Sequence, residues 1–235
     1  MKIGLESFTA YQVASLRLVA ACIALSPFLP KALRQTPVNK LPVIILSGIL
    51  GNGIPAFLFC LAETAIDSSL AGILNALTPL MALLSGIIIF KSPFQQKQLT
   101  GIFIGLLGVI FLFTSKGITS NGHWSYALLV ILATVSYGVN ISMVHHQLQG
   151  FSSLQLGAIA MFFCGVGTFP VLLFSGFFQQ FAGPHAPWRS LSAGIVLGVL
   201  GTGVAAVLFY LLIKRAGSML ASMVAYALPL VAVGW

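Results

Sequence analysis

The chain has 235 residues, of which 58% are hydrophobic and 6% charged, and a mean hydropathy of +1.05. Soluble proteins hold roughly 45–50% apolar and about 25% charged residues, so a soluble globular domain is excluded. The formal charge of +8 comes from 11 Lys and Arg scattered among apolar stretches, which excludes a basic stripe for nucleic acid.

About 20 apolar residues in a helix cross roughly 30 Å of hydrocarbon. Windows of that kind run over 12–30, 41–61, 69–90, 98–115, 124–145, 154–176, 191–212 and 219–235. They predict an all-α integral membrane protein, a helical bundle of about eight spans. Polar, turn-rich separators such as "PKALRQTPVNK" and "QQFAGPHAPWRS" lie between them. With the first link on the cytoplasmic side, that side carries Lys31, Arg34, Lys40, Lys91, Lys97, Lys214 and Arg215. The other side carries Lys2, Lys116 and Arg189, which follows the positive-inside rule. The expected location is a bacterial-type inner membrane. Met1 then lies outside, although "MKIGLESFTAYQ" lacks the apolar core of a secretory signal.

The first span holds Arg17 five residues inside its apolar window. An ionisable group there is costly and by default marks a functional position, but a long guanidinium near a membrane face also snorkels to the interface. On 41–61, Asn52 lies one turn from Gly48 and three residues before Pro55. Glu63 and Asp67 follow in the outer turn and read as solvated loop charges. The next span, 69–90, has one face of Ala71/Gly72, Asn75, Thr78/Pro79, Ala82 and Ser85/Gly86 at helical spacing. Small residues let helices approach closely and Asn or Thr can bond across the gap, so Asn75 and Thr78 serve either as interhelical glue or as cavity lining. Pro79 predicts a kink that exposes backbone.

Span 124–145 offers Tyr137 and Asn140 at i, i+3, and ends at His145 and His146, read as interfacial. Thr202 lies on 191–212, and Tyr226 and Pro229, a further kink position, lie on 219–235. Cys22, Cys60 and Cys164 fall within spans without CxxC or ligand spacing, so they read as small core residues, with no metal or cofactor expected.

The chain also repeats itself. At an offset of 150, residues 48–85 face 198–235, and Gly48, Gly51, Gly53, Phe59, Ser68 and Pro79 are among those meeting identical residues. At an offset of 143, Phe8, Gln12 and Pro27 meet Phe151, Gln155 and Pro170. Asn52 thus pairs with Thr202. The first three spans correspond to the sixth, seventh and eighth. Equivalent spans are an odd number of crossings apart, so the second copy enters the membrane in the opposite direction. Such inverted-topology repeats build secondary transporters with a midplane site. Extending both copies predicts five helices in each, over 1–116 and 117–235, with the first helix of one and the last helix of the other missing from this chain.

The phrases "SLRLVAACIALSPFL" (15–29), "LFCLAETAIDSSLAGILNALTPLMALLSG" (58–86), "QLTGIFIGLLGVIFL" (98–112) and "LFYLLIKRAGSMLASMVAYALPLVAVGW" (208–235) resemble, in order and spacing, the EamA-type members of the drug/metabolite transporter superfamily. The resemblance implies ten helices in two five-helix repeats. The family's acidic residue after the helix equivalent to 69–90 is absent from "IFKSPFQQKQ", so no role of that acid carries over.

The leading reading is a secondary transporter exporting small organic metabolites or drugs by alternating access. The candidate cavity residues are Arg17, Asn52, Asn75, Thr78, Tyr137, Asn140, Thr202 and Tyr226, with Pro55, Pro79 and Pro229 as kinks. Expected partners are a small-molecule substrate and the lipid bilayer, with no nucleic acid and with homo-oligomerisation open. No Walker A motif supports ATP drive. A membrane-embedded enzyme is disfavoured, since HExxH and GxSxG are absent and the chain holds only 3 acidic residues. A truncated, non-transporting fragment is the remaining alternative.

Overall fold

A computed structural model describes residues 1–93, 96–115, 124–181 and 186–227, and Pro229 and Lys116 lie outside them. The spans are α1 (Ala10–Arg34), α2 (Val38–Ala62), α3 (Ser68–Ile88), α4 (Gln96–Ser115), α5 (Trp124–Gln147), α6 (Ser153–Phe174) and α7 (Trp188–Tyr226). No strand occurs among the described residues. Six helices there are long and apolar enough to cross a membrane, and α4 adds a shorter apolar stretch, Gln98–Gly108.

The sequence separates 191–212 from 219–235, and the described part of that stretch, the 39 residues Trp188–Tyr226 of α7, is two helices meeting at a kink. At 1.5 Å per residue a straight helix of that length would far exceed the bilayer. It is not straight, because Gly217 leaves helical geometry at φ 83°, a value that glycine adopts without steric cost.

Span 69–90 forms two helices, Ser68–Asn75 and Thr78–Ile88, separated by Ala76–Leu77. Pro79 has no N–H to give the carbonyl of Asn75, four residues earlier, and its ring crowds that carbonyl. The hydroxyl of Thr78 donates to it instead at 2.7 Å. The break thus comes a turn ahead of the proline.

In α2 the regular helix gives way to a π-helical turn at Ile49–Gly53, just before Pro55. The same turn forms at Val199–Val204 in α7, where Ala205 occupies the position matching Pro55. The turn therefore tracks the shared glycines rather than the proline. Such π turns are uncommon and recur at functional sites.

Helix α1 packs lengthwise on α6, and their ends match. Thr9 and Gln12 form a capping box at the start of α1, and Ser152 and Gln155, each 143 positions on, form one at the start of α6. Each glutamine then reaches across to the other helix: Gln12 donates to the Ser175 carbonyl at 3.0 Å, and Gln155 to the Ala32 carbonyl at 3.4 Å. Ser175 is itself 143 positions after Ala32. Both caps satisfy amides that a helix start leaves open.

The glycines at the crossings follow the same rule. A Cβ on Gly48 would fall 2.8 Å from the Ala160 Cβ, and one on Gly198 would fall 2.6 Å from the Arg17 carbonyl. Advancing Gly48 by 150 gives Gly198, and Arg17 advanced by 143 gives Ala160. Between them Gly165 lies against Cys22, its own equivalent at offset 143. Contacts that exchange in this way are those a two-fold axis generates.

Candidate functional site

Two polar clusters lie where α2, α5 and α7 meet α1. In the first, Ser47 donates to the Asn140 side-chain oxygen at 2.6 Å and lies 3.4 Å from the Tyr210 hydroxyl. Asn52 donates to that hydroxyl at 3.5 Å. Ser47, Asn140 and Tyr210 are each no more than 2% exposed. Asn140 fits only because Gly51 has no side chain, since a Cβ there would collide with its amide. Every polar side chain in this cluster has a partner, so it ties three helices together, with Asn52 half-buried at its edge.

The second cluster is built around Arg17. Its Nε–H donates to the Thr202 hydroxyl at 3.0 Å, and Thr202 in turn donates to the Leu197 carbonyl at 3.2 Å. That last bond spans five residues, the π-helical spacing, so the turn aims Thr202 at Arg17. Nη1 points at the Met1 sulfur at 3.9 Å. Cys60 and Tyr137 lie within electrostatic range of the guanidinium. Tyr137 stands beside Phe59, ring centroids 6.1 Å apart, and makes an aromatic wall. Arg17 is half-buried and about 10 Å along α1 at 1.5 Å per residue, so it is not at the membrane face.

Glu63 is not a solvated loop charge. It is 9% exposed, because the turn after α2 folds it under the start of α1. Burial pushes its carboxyl above the usual value, opposed by the Met1 amino group, Lys2, a hydrogen bond with Ser68, and Arg17. Glu63 lines a cleft of about 560 Å³ with Lys2, Glu6, Thr9 and Thr64. Asp67, by contrast, is exposed.

Among the sequence candidates, then, Arg17 and Thr202 bond directly with Tyr137 nearby, and Asn52 and Asn140 meet through Ser47 and Tyr210. Asn75 and Thr78 bond each other locally across the break in α3, through Thr78 Oγ1 to the Asn75 carbonyl and side chain. The glue on that face is instead Ser85, which donates to the Gly138 carbonyl at 2.9 Å, and Ser142, which donates to the Ala82 carbonyl at 2.8 Å. Tyr226 turns away to α4, donating to the Ile102 carbonyl at 3.0 Å. His145 and His146 line a separate cavity of about 200 Å³ with Ser92 and Ser218, and His146 bonds Ser92 at 2.8 Å.

Ser47 and Tyr210 escaped the sequence reading, and Cys60 and Glu63 were placed in it as a core residue and a loop charge rather than beside Arg17. The signal for one pair was present: "LFCL" (58–61) echoes "LFYL" (208–211), and the single mismatch is Cys60 against Tyr210.

A bundle of long apolar helices with paired crossings defines a multi-pass membrane protein, and the comparisons give its class. The chain belongs to the EamA-like transporter family, which matches residues 1–114 and again 124–235. It is 30% identical to the uncharacterized inner membrane transporter YedA of Escherichia coli (strain K12), over 99% of this chain and 74% of that one. It is 23% identical to the uncharacterized transporter YdfC of Bacillus subtilis (strain 168), over 74% of this chain and 56% of that one. A solved crystal structure, 16% identical, shares the fold with a TM-score of 0.71 over 97% of this chain and 78% of that chain. The chain is a multi-pass protein of the bacterial inner membrane.

Proposed function

We propose that the chain exports small organic metabolites or drugs by alternating access, with 1–116 and 117–235 as two inverted halves and the Arg17–Thr202 cluster as the substrate site. The observation that carries this reading is the unequal use of equal positions. Asn52 and Tyr210 close directly on each other. Their equivalents, Thr202 and Cys60, leave room that Arg17 enters. The first pair is bonded to itself and the second holds a half-buried cation, so the second is where a substrate would dock. Alternating access would then work by rocking the halves about the α1–α6 contact.

The test is efflux from cells expressing the chain, preloaded with a panel of labelled organic compounds, compared with cells carrying the vector. A compound whose efflux rises should lose that gain in Arg17→Ala and Tyr137→Ala while membrane abundance holds. If flux and abundance fall in parallel, the cluster is structural and the assignment of the site fails.

A further inference from the structure

We infer that the Arg17 cluster selects small organic anions, docking a carboxylate-type head on the guanidinium and an apolar body against Phe59 and Tyr137. This rests on the proposed transport site and names its substrate class.

Arginine presents its donors in a planar fork. Thr202 takes Nε–H at 3.0 Å and so fixes the plane of the fork. The end formed by Nη1 and Nη2 is the edge that receives a carboxylate bidentately. Beyond Thr202 the guanidinium meets the Met1 thioether at 3.9 Å and the Cys60 thiol, both weak partners, and among the described residues no carboxylate lies within 4.0 Å of it. A cation inside a bundle is costly until it is paired. The protein leaves this one for a partner from elsewhere.

The surrounding charges favour an anion as that partner. Lys2 adds a positive charge to the wall of the neighbouring cleft, which reaches the Arg17 cluster through Glu63 rather than being lined by it. Glu6, on the same wall, is drawn to Arg189 at 4.0 Å. Glu63 is the one remaining acid there, held by Ser68 and resisting charge because it is buried. The Phe59–Tyr137 wall then supplies apolar area for the rest of the molecule. At the equivalent of Arg17 in the other half stands Ala160, so the sealed cluster has no counterpart to this fork.

The test compares two probes of one shape, 3-phenylpropionate and its neutral amide 3-phenylpropionamide, by calorimetric binding to the chain in lipid nanodiscs. A charge-assisted bidentate contact predicts that the acid binds about tenfold tighter or more. Arg17→Gln should bring the two affinities together, and Arg17→Lys should restore part of the preference. Thr202→Val, which leaves the fork loose but charged, should weaken the acid and spare the amide. An acid preference that survives Arg17→Gln overturns the inference. Equal binding of both probes by the native chain overturns it too, while leaving a binding site in place. Binding of neither overturns this inference and the transport site with it. If Arg17→Gln does not fold, the lysine and valine variants decide the matter.

Discussion

Asn52 with Tyr210, and Thr202 with Cys60, occupy matched positions in the two halves yet behave in opposite ways. The first pair is joined by Ser47 and Asn140 into one bonded cluster in which Tyr210, Ser47 and Asn140 are buried. The second admits a cation whose outer edge has no ionic partner among the described residues. The backbone is the same in both, down to the π turns at Ile49–Gly53 and Val199–Val204. Side-chain size and charge at three positions therefore decide which cluster closes. A symmetric scaffold supplies two places, and an asymmetric sequence makes one of them a lock and the other the proposed receptor.

The largest effect should come from destroying the scaffold that both clusters share. Gly198→Leu drives a side chain into the Arg17 backbone, and Gly48→Leu does the same against Ala160. Overpacking of this kind costs about 1–3 kcal/mol or more, and membrane abundance, read by immunoblot, should fall for both.

Next comes the division between lock and receptor. Asn140→Ala removes the shorter of the two bonds of the buried Ser47 hydroxyl and leaves a gap beside Gly51, so it should lower stability by about 1–3 kcal/mol, seen as an earlier thermal midpoint in detergent. Arg17→Ala should leave that midpoint nearly unchanged and remove flux. Similar profiles for the two variants would erase the distinction.

A transplant sharpens it further. Cys60→Tyr gives the open half the ring that seals the other, so it should displace Arg17 from Thr202 and slow flux several-fold in the efflux assay, with abundance retained.

A smaller effect lies in pH. The carboxyl of Glu63 is raised in the folded chain, so the folded state holds its proton more tightly than the unfolded one. Stability is then greatest at low pH and declines as pH rises from the ordinary value of 4.5 through the folded value. Glu63→Gln should flatten that part of the thermal-midpoint profile and leave the profile above it alone. Smallest of all, Asn75→Ala should alter flux and abundance little, because Asn75 bonds only within its own turn among the described contacts.

Much of this was legible in the letters. Apolar windows located the helices, and offsets of 150 and 143 anticipated which caps and crossings match. Glycines read as small turned out to be contact points, because a missing Cβ is visible in sequence while the neighbour that fills the space is not. Arg17 was singled out by cost alone, but its partner Thr202 lies 185 positions away. Tyr210 was passed over because an aromatic in an apolar helix resembles packing until its hydroxyl is seen to meet Ser47 and Asn52. Glu63 was misplaced because a short polar turn gives no sign of whether it folds outward or under its neighbour. Asn75 and Thr78 share a helical face, but the break that Pro79 induces turns their bonds inward to the chain itself.

The contact of Cys22 with Gly165 is its own image under the exchange of halves. Under the proposed alternating access, a substitution elsewhere weighs on one arm of a balance and shifts its resting point. This pair is the pivot, and it can be traded across the axis, Cys22→Gly with Gly165→Cys, to rebuild the same contact from the same two residues. Such a double variant should tolerate the trade while leaving the bias between inward and outward states where it was.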